Sequence, residues 1–165
     1  MRTLYLAGGL FNAAERLHNL YLERALKRLG YEVVLPQREA LKFFDRDHFD
    51  VVGIVKDCRT SATNSLHLYV GSVDGADADS GTCVEYGMAI EASKQAIVYR
   101  TDFRTALEKE LGVNAMLQAD GTVLVYKPCF FTELDQVDGY YKELAQKIHE
   151  AILEVMVRHD AVRRH

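Results

Sequence analysis

From residue 3 to residue 155 the chain alternates short apolar runs with stretches whose apolar residues recur at helical spacing, and this alternation leaves few folds open. Residues 3–7 make a short strand that reads as buried on both faces. Over 13–29, Leu17, Leu20, Tyr21, Ala25, Leu26 and Leu29 form the stripe of an amphipathic helix, followed by Gly30 where a terminating glycine belongs. A second strand over 32–35 stops at Pro36. Val52, Val55 and Ala62 give 49–63 a looser helical pattern behind the charged run Asp45-Arg46-Asp47. A strand over 66–73, a helix over 82–93 with Val84, Met88 and Ala92, and strands over 96–99 and 122–126 follow. Tyr140, Tyr141, Leu144, Ile148, Ile152 and Val155 mark a closing helix over 137–155. Such alternation predicts an α/β fold, a mostly parallel sheet with helices on both faces. Ligands in such sheets sit beyond the carboxyl ends of the strands. The segments to inspect are therefore the loops 8–12, 36–47, 74–81 and 100–114.

Length and charge narrow the rest. A chain of 165 residues with 48% hydrophobic residues fits one domain with a proper core, here taken as 1–156. Residues 157–165, with Arg158, Arg163 and Arg164, read as a frayed basic tail. Twenty basic residues against 24 acidic ones give a net charge of -4, so nothing points to a nucleic-acid backbone as partner. No run approaches the roughly 20 apolar residues of a membrane span, and the apolar start is too short for a signal peptide. Cys58, Cys83 and Cys129 are odd in number and widely spaced, which indicates neither a disulfide framework nor a zinc site. A cytoplasmic enzyme of small molecules, without metal or cofactor, is the expectation. Gly8-Gly9 is no dinucleotide fingerprint, and His48 and His67 lack the spacing of a metal pair or triad.

The most unusual segment is 74–85, in which Asp74, Asp77 and Asp79 precede Ser80, Gly81 and Thr82 and lead to Glu85. Ordinary capping accounts for part of it, since Asp79, Ser80 and Thr82 are all suitable N-caps and an acid in the first turn favours the helix dipole. A calcium loop lacks its remaining ligands. Glu85, however, falls on the side of the helix that packs against the sheet, where a carboxylate costs free energy unless it is paired or used. A carboxylate there suits attack at an anomeric carbon, because the transition state is oxocarbenium-like and the resulting ester is easily cleaved.

Tyr5-Leu6-Ala7-Gly8, Phe11, Leu35-Pro36-Gln37, Asp74-Gly75, Asp79-Ser80-Gly81-Thr82, Glu85-Tyr86-Gly87, Arg100-Thr101-Asp102-Phe103-Arg104 and Asn114-Ala115-Met116 occur in that order. Together, over residues 3–126, they resemble the nucleoside 2-deoxyribosyltransferase family. The resemblance implies a flavodoxin-like five-stranded parallel sheet and base exchange on 2′-deoxynucleosides through a glutamyl-deoxyribose ester. It makes Glu85 the nucleophile, Tyr5 the group that orients it, and Asp57 the acid that protonates the leaving base. It assigns Asp79 to the sugar hydroxyls and Gln37 to the base, with Gly8, Phe11, Ser80 and Gly81 in the substrate-binding set. Asn114 corresponds to an asparagine donated to a neighbouring subunit's site, which implies a homo-oligomer. Without the family, Asp57 reads as a solvated helix residue beside Lys56 and Arg59. The sequence departs from the family pattern at Gly9, at Ser93-Lys94-Gln95 and at the bulky His67-Leu68-Tyr69. These departures touch the loops and strand that shape base preference.

Two alternatives stand beside base exchange. Related hydrolases act on deoxynucleoside 5′-monophosphates with serines where Asp79 and Asn114 stand here; an ionised Asp79 would repel a phosphate and suits a free 5′-hydroxyl. A nucleotide-binding module without catalysis would gain nothing from an unpaired nucleophilic carboxylate.

Overall fold

Residues 4–7 and 96–100 are buried without a break, as strands covered on both faces must be. The computed structural model describes residues 1–45, 48–64, 66–92, 94–104, 112–119 and 121–162, of which 158–162 by backbone alone. Chain order is β1 (Arg2–Ala7), α1 (Ala13–Arg28), β2 (Tyr31–Val34), α2 (Pro36–Glu39), β3 (Phe44–Asp45), β4 (His48–Phe49), α3 (Val51–Thr63), β5 (His67–Ser72), α4 (Ser80–Glu91), β6 (Ala96–Arg100), β7 (Thr122–Tyr126) and α5 (Val137–Val162). Five strands form one parallel sheet in the order β2-β1-β5-β6-β7, the flavodoxin-like order.

Alternation along β1 divides the interior into two cores. Leu4 and Leu6 join Leu22, Leu26, Leu144, Ile148 and Ile152, with Tyr31, Tyr99 and Tyr141 among them, in a layer under α1 and α5. Tyr5 and Ala7 turn to the other face, where α3 and α4 lie, and pack among Tyr69, Tyr86, Ala89 and Val98. Register aligns Tyr5 with Tyr69 on β5, and the rings of Tyr5, Tyr69 and Tyr86 follow one another at 6.3 and 6.1 Å. The helix face that carries Glu85 thus meets a row of phenols rather than a plain hydrocarbon wall.

Local signals explain most element ends. Asn12 caps α1 in a reciprocal capping box with Glu15, and Gly30 adopts a φ of 87° just past its end. Three expectations need correction. Residues 36–47 are not a plain loop: Pro36 starts α2 at its first position, a 3-10 turn continues over Ala40–Phe43, and the ribbon β3–β4 closes it. Arg46 and Asp47 lie outside the described residues. The helix expected from 82 begins at Ser80. The closing helix does not end at 155 but runs to Val162, through part of the stretch read as a tail, since neither glycine nor proline falls between 155 and 162. No helix among the described residues is long and apolar enough to cross a membrane.

Candidate active site

From β1 the chain turns to β2 at one side, and from β5 to β6 at the other. The two outgoing connections diverge, and a crevice opens at their start, the topological switch point. The cleft there has a volume of about 490 Å³. Gly9 lines it from the loop after β1, Ser72 from the end of β5, and Asp74, Asp77 and Asp79 from the loop that follows, with Glu15, His18 and Tyr141 across the opening. Its wall holds four carboxylates, and no lysine or arginine is among its lining residues. A Cβ on Gly8 would come within 3.3 Å of Ser72 Cβ, so the absence of a side chain lets the first loop lie close over β5.

Glu85 lies in the second turn of α4, not the first, because Asp79 and not a later residue is the N-cap. The dipole explanation for Glu85 therefore lapses. The Tyr5 hydroxyl donates to Glu85 Oε1 at 2.8 Å, bridging the centre of the sheet to the helix. Burial raises the Glu85 carboxyl above its ordinary range, while hydrogen bonds from Tyr5 and Cys58 pull the other way and the charge of Asp79 adds to the rise. Tyr5 itself is pushed far above the usual tyrosine range, by burial first and then by the Glu85 charge, and stays a donor. From α3, Cys58 lines the same narrow crevice as Tyr5. Burial and the adjacent Glu85 push its thiol up to about 11. The sequence reading considered the cysteines only as disulfide or zinc partners. The signal for Cys58 was its spacing: Ile54, Cys58 and buried Ala62 share the inward face of α3.

The remaining predicted residues divide into groups. Asp57 shares with Tyr5, Cys58, Glu39 and Phe43 a crevice of about 10 Å³, room for one water at most. Asp79 accepts from the Thr82 amide at 2.8 Å and the Thr82 hydroxyl at 3.0 Å while lining the cleft, so it caps the helix and faces the opening at once. Ser80 and Gly81 occupy the exposed first turn of α4. Phe11 is 80% exposed beyond β1. Gln37 is buried: its Oε1 accepts from Asn19 at 3.1 Å and its Nε2 donates to the Arg16 carbonyl at 3.3 Å, which leaves each end one further hydrogen-bonding position. Asp74 is taken up structurally, accepting from the Thr101 amide, the Thr101 hydroxyl and the Asp102 amide. Asn114 is apart from the rest. It caps a short 3-10 turn, accepting from the Met116 amide at 2.9 Å, and with Tyr86, Gly87 and Arg100 lines a second cavity of about 680 Å³, which shares Asp77 with the cleft.

A parallel sheet with an acid-lined cleft at its switch point, and a desolvated carboxylate of α4 held by a phenol of β1 though outside that cleft's lining, defines a flavodoxin-like α/β fold with a candidate small-molecule site. The sequence profile described as nucleoside 2-deoxyribosyltransferase matches residues 4–129, and the chain belongs to that family, an enzymatic one. Among solved structures the chain is similar to a conserved protein from Enterococcus faecalis V583, with a TM-score of 0.67 and 21% identity over 92% of this chain and 99% of that one. It is also similar to a 2-deoxyribosyltransferase from the psychrotolerant bacterium Bacillus psychrosaccharolyticus, with a TM-score of 0.55 and 21% identity over 84% of this chain and 91% of that one. At that identity both likenesses speak for the fold. No curated protein matches the chain.

Proposed function

We propose that the protein exchanges the base of a 2′-deoxynucleoside through a deoxyribosyl ester on Glu85, in the cytoplasm and in nucleoside salvage. The observation that carries this reading is the Tyr5–Glu85 hydrogen bond at 2.8 Å, which holds a desolvated carboxylate of α4 against β1, the strand whose outgoing loop lines the cleft. In the first half-reaction a Glu85 oxygen bonds to C1′ as the C1′–N bond breaks, and the electron pair leaves with the base, which takes a proton from Asp57. In the second, a nitrogen of the incoming base attacks C1′, gives its proton back to Asp57, and releases the Glu85 carboxylate. Asp79, with one oxygen bound to Thr82, would use its remaining lone pairs on a sugar hydroxyl.

Hydrolysis of deoxynucleoside 5′-monophosphates is the competing reaction. The four carboxylates around the cleft, with no cation among its lining residues, favour an uncharged 5′ end over a phosphate. Asn114 lines a cavity that holds neither Glu85 nor Asp79, which supports its donation to a second copy in a homo-oligomer. The test is incubation with a deoxynucleoside and a different free base. A new deoxynucleoside is expected from the wild type and none from Glu85→Ala with folding intact. Free deoxyribose alone would mark a hydrolase, and exchange retained in Glu85→Ala would remove Glu85 as nucleophile.

A further inference from the structure

A sugar hydroxyl held in a cleft needs an acceptor for its proton and a donor for its lone pairs. Acceptors are plentiful in the acid-lined cleft, where Asp77 and Asp79 stand on the wall. Donors are scarce. Asn19 lines the cleft, but its Nδ2 is committed to the Gly9 carbonyl at 3.0 Å and to Gln37 Oε1 at 3.1 Å. His18 lines it too, and both ring nitrogens are taken: Nε2 lies 3.0 Å from the Tyr99 hydroxyl and Nδ1 2.9 Å from the Tyr141 hydroxyl. The hydroxyls of Ser72 and Tyr141 remain, beside the weaker thiol of Cys129. Ser72 can swing its hydroxyl about one bond. The Tyr141 ring is fixed, stacked on Tyr21 at 5.1 Å and edge-on to His18 at 5.3 Å and to Tyr140 at 5.4 Å.

The chain Tyr99–His18–Tyr141 also decides where the Tyr141 proton points. Burial holds the imidazole below its ordinary range, against the pull of the Asp74 charge, so at neutral pH the ring gives one hydrogen bond and takes one. One phenol therefore donates to it and the other accepts. Tyr99 is fully buried, and a ring nitrogen is a stronger acceptor than the hydroxyl of Ser72, its register neighbour on β5. Tyr99 thus donates to Nε2, the Nδ1 proton goes to the Tyr141 oxygen, and the Tyr141 proton is left for the cleft. The reverse order would leave a buried proton on the poorer acceptor, whereas Tyr141 faces an opening that water or a ligand can fill. We infer that Tyr141 is a specificity-determining residue, its hydroxyl donating to the 5′-oxygen of a nucleoside whose 5′ proton goes to Asp79, with His18 as the positioning residue behind it. The inference rests on the proposed reaction, which sets C1′ at Glu85, outside the cleft's lining, and a sugar hydroxyl at Asp79, inside it. The 5′-oxygen is the sugar hydroxyl that reaches farthest from C1′.

Three substrates read the contact: the 2′-deoxynucleoside that the wild type exchanges best, and its 5′-deoxy and 3′-deoxy counterparts. In Tyr141→Phe the kcat/KM advantage of the parent over the 5′-deoxy compound is expected to fall about five- to tenfold, the worth of one neutral hydrogen bond. Its advantage over the 3′-deoxy compound should stay. His18→Phe keeps a ring between the two phenols and should lose the same 5′ advantage, and the double variant should lose no more than Tyr141→Phe alone. Tyr141→Phe, which keeps the ring stack, decides the contact even where His18→Phe does not fold. An unchanged 5′ advantage in Tyr141→Phe would overturn the inference. So would a loss confined to the 3′ comparison, or one that appears in Ser72→Ala instead. A further loss in the double variant would remove His18 as the positioning residue. A wild type without base exchange would defeat the proposed function instead, while the dissociation constants of the three compounds, measured by calorimetry, still decide the role of Tyr141. Compounds that fail to bind would overturn that role as well.

Discussion

Asp79 does two jobs that substitution can separate. As N-cap of α4 it takes two hydrogen bonds from Thr82, and as a wall of the cleft it sets the charge that a substrate meets. Asp79→Ala should cost about 1 kcal/mol of stability, read from the denaturant midpoint, because the capping acceptor is lost. Asp79→Ser keeps a capping oxygen and should unfold within about 0.5 kcal/mol of wild type. Its effect should lie in selectivity: the ratio of reaction on a 5′-monophosphate to that on the free nucleoside should rise in product chromatography. An unchanged ratio would relieve Asp79 of its part in substrate choice. Such residues were only partly legible in the sequence. Glu85 and Asp79 stood out because an acid-rich loop ahead of an inward-facing glutamate has few structural uses. Cys58 did not, because only the packing of α3 against β1 brings its thiol beside Tyr5.

Among the elements, the segment after β5 deserves the closest test. Its path depends on Gly75, whose φ of 105° is one that other residues rarely adopt and whose added Cβ would lie 2.8 Å from the Asp77 carbonyl oxygen. Gly75→Ala should therefore destabilise the protein by about 1–3 kcal/mol in urea unfolding. It should also raise KM for the nucleoside, since Asp77 and Asp79 follow directly; a KM equal to wild type would mean that the loop tolerates a different path. Element types were readable throughout, because strand runs and helical stripes differ in period, and β7 ends where expected. Residues 36–45 were not: α2 and the 3-10 turn are too short to show a period, and the ribbon that follows has two residues per strand. Asn114 was placed by the family likeness alone, since no local pattern tells a capping asparagine from one meant for a neighbour.

For the whole molecule, one exposed apolar groove lies on the face of the sheet covered by α3 and α4. Between α3 and α4 runs a groove of about 900 Å³ with Val52, Val55, Val84 and Met88 along it, and Val52 is 79% exposed. Lys56 and Arg59 edge it on α3 and Glu91 on α4, so a two-fold copy would set opposite charges against each other. If the proposed oligomer uses this face, Val52→Glu should shift the mass measured by light scattering toward that of one chain, 18.7 kDa, and lower exchange activity as Asn114 loses its neighbour. An unchanged mass would exclude this face. The two cores carry a last consequence. The layer under α1 and α5 supplies none of the proposed reacting groups, whereas the layer under α3 and α4 holds Tyr5, which binds Glu85. Evolution, in nature or at the bench, can therefore trade most residues of the first layer for heat resistance without touching the proposed reacting groups, with Tyr141, which also lines the cleft, as the exception.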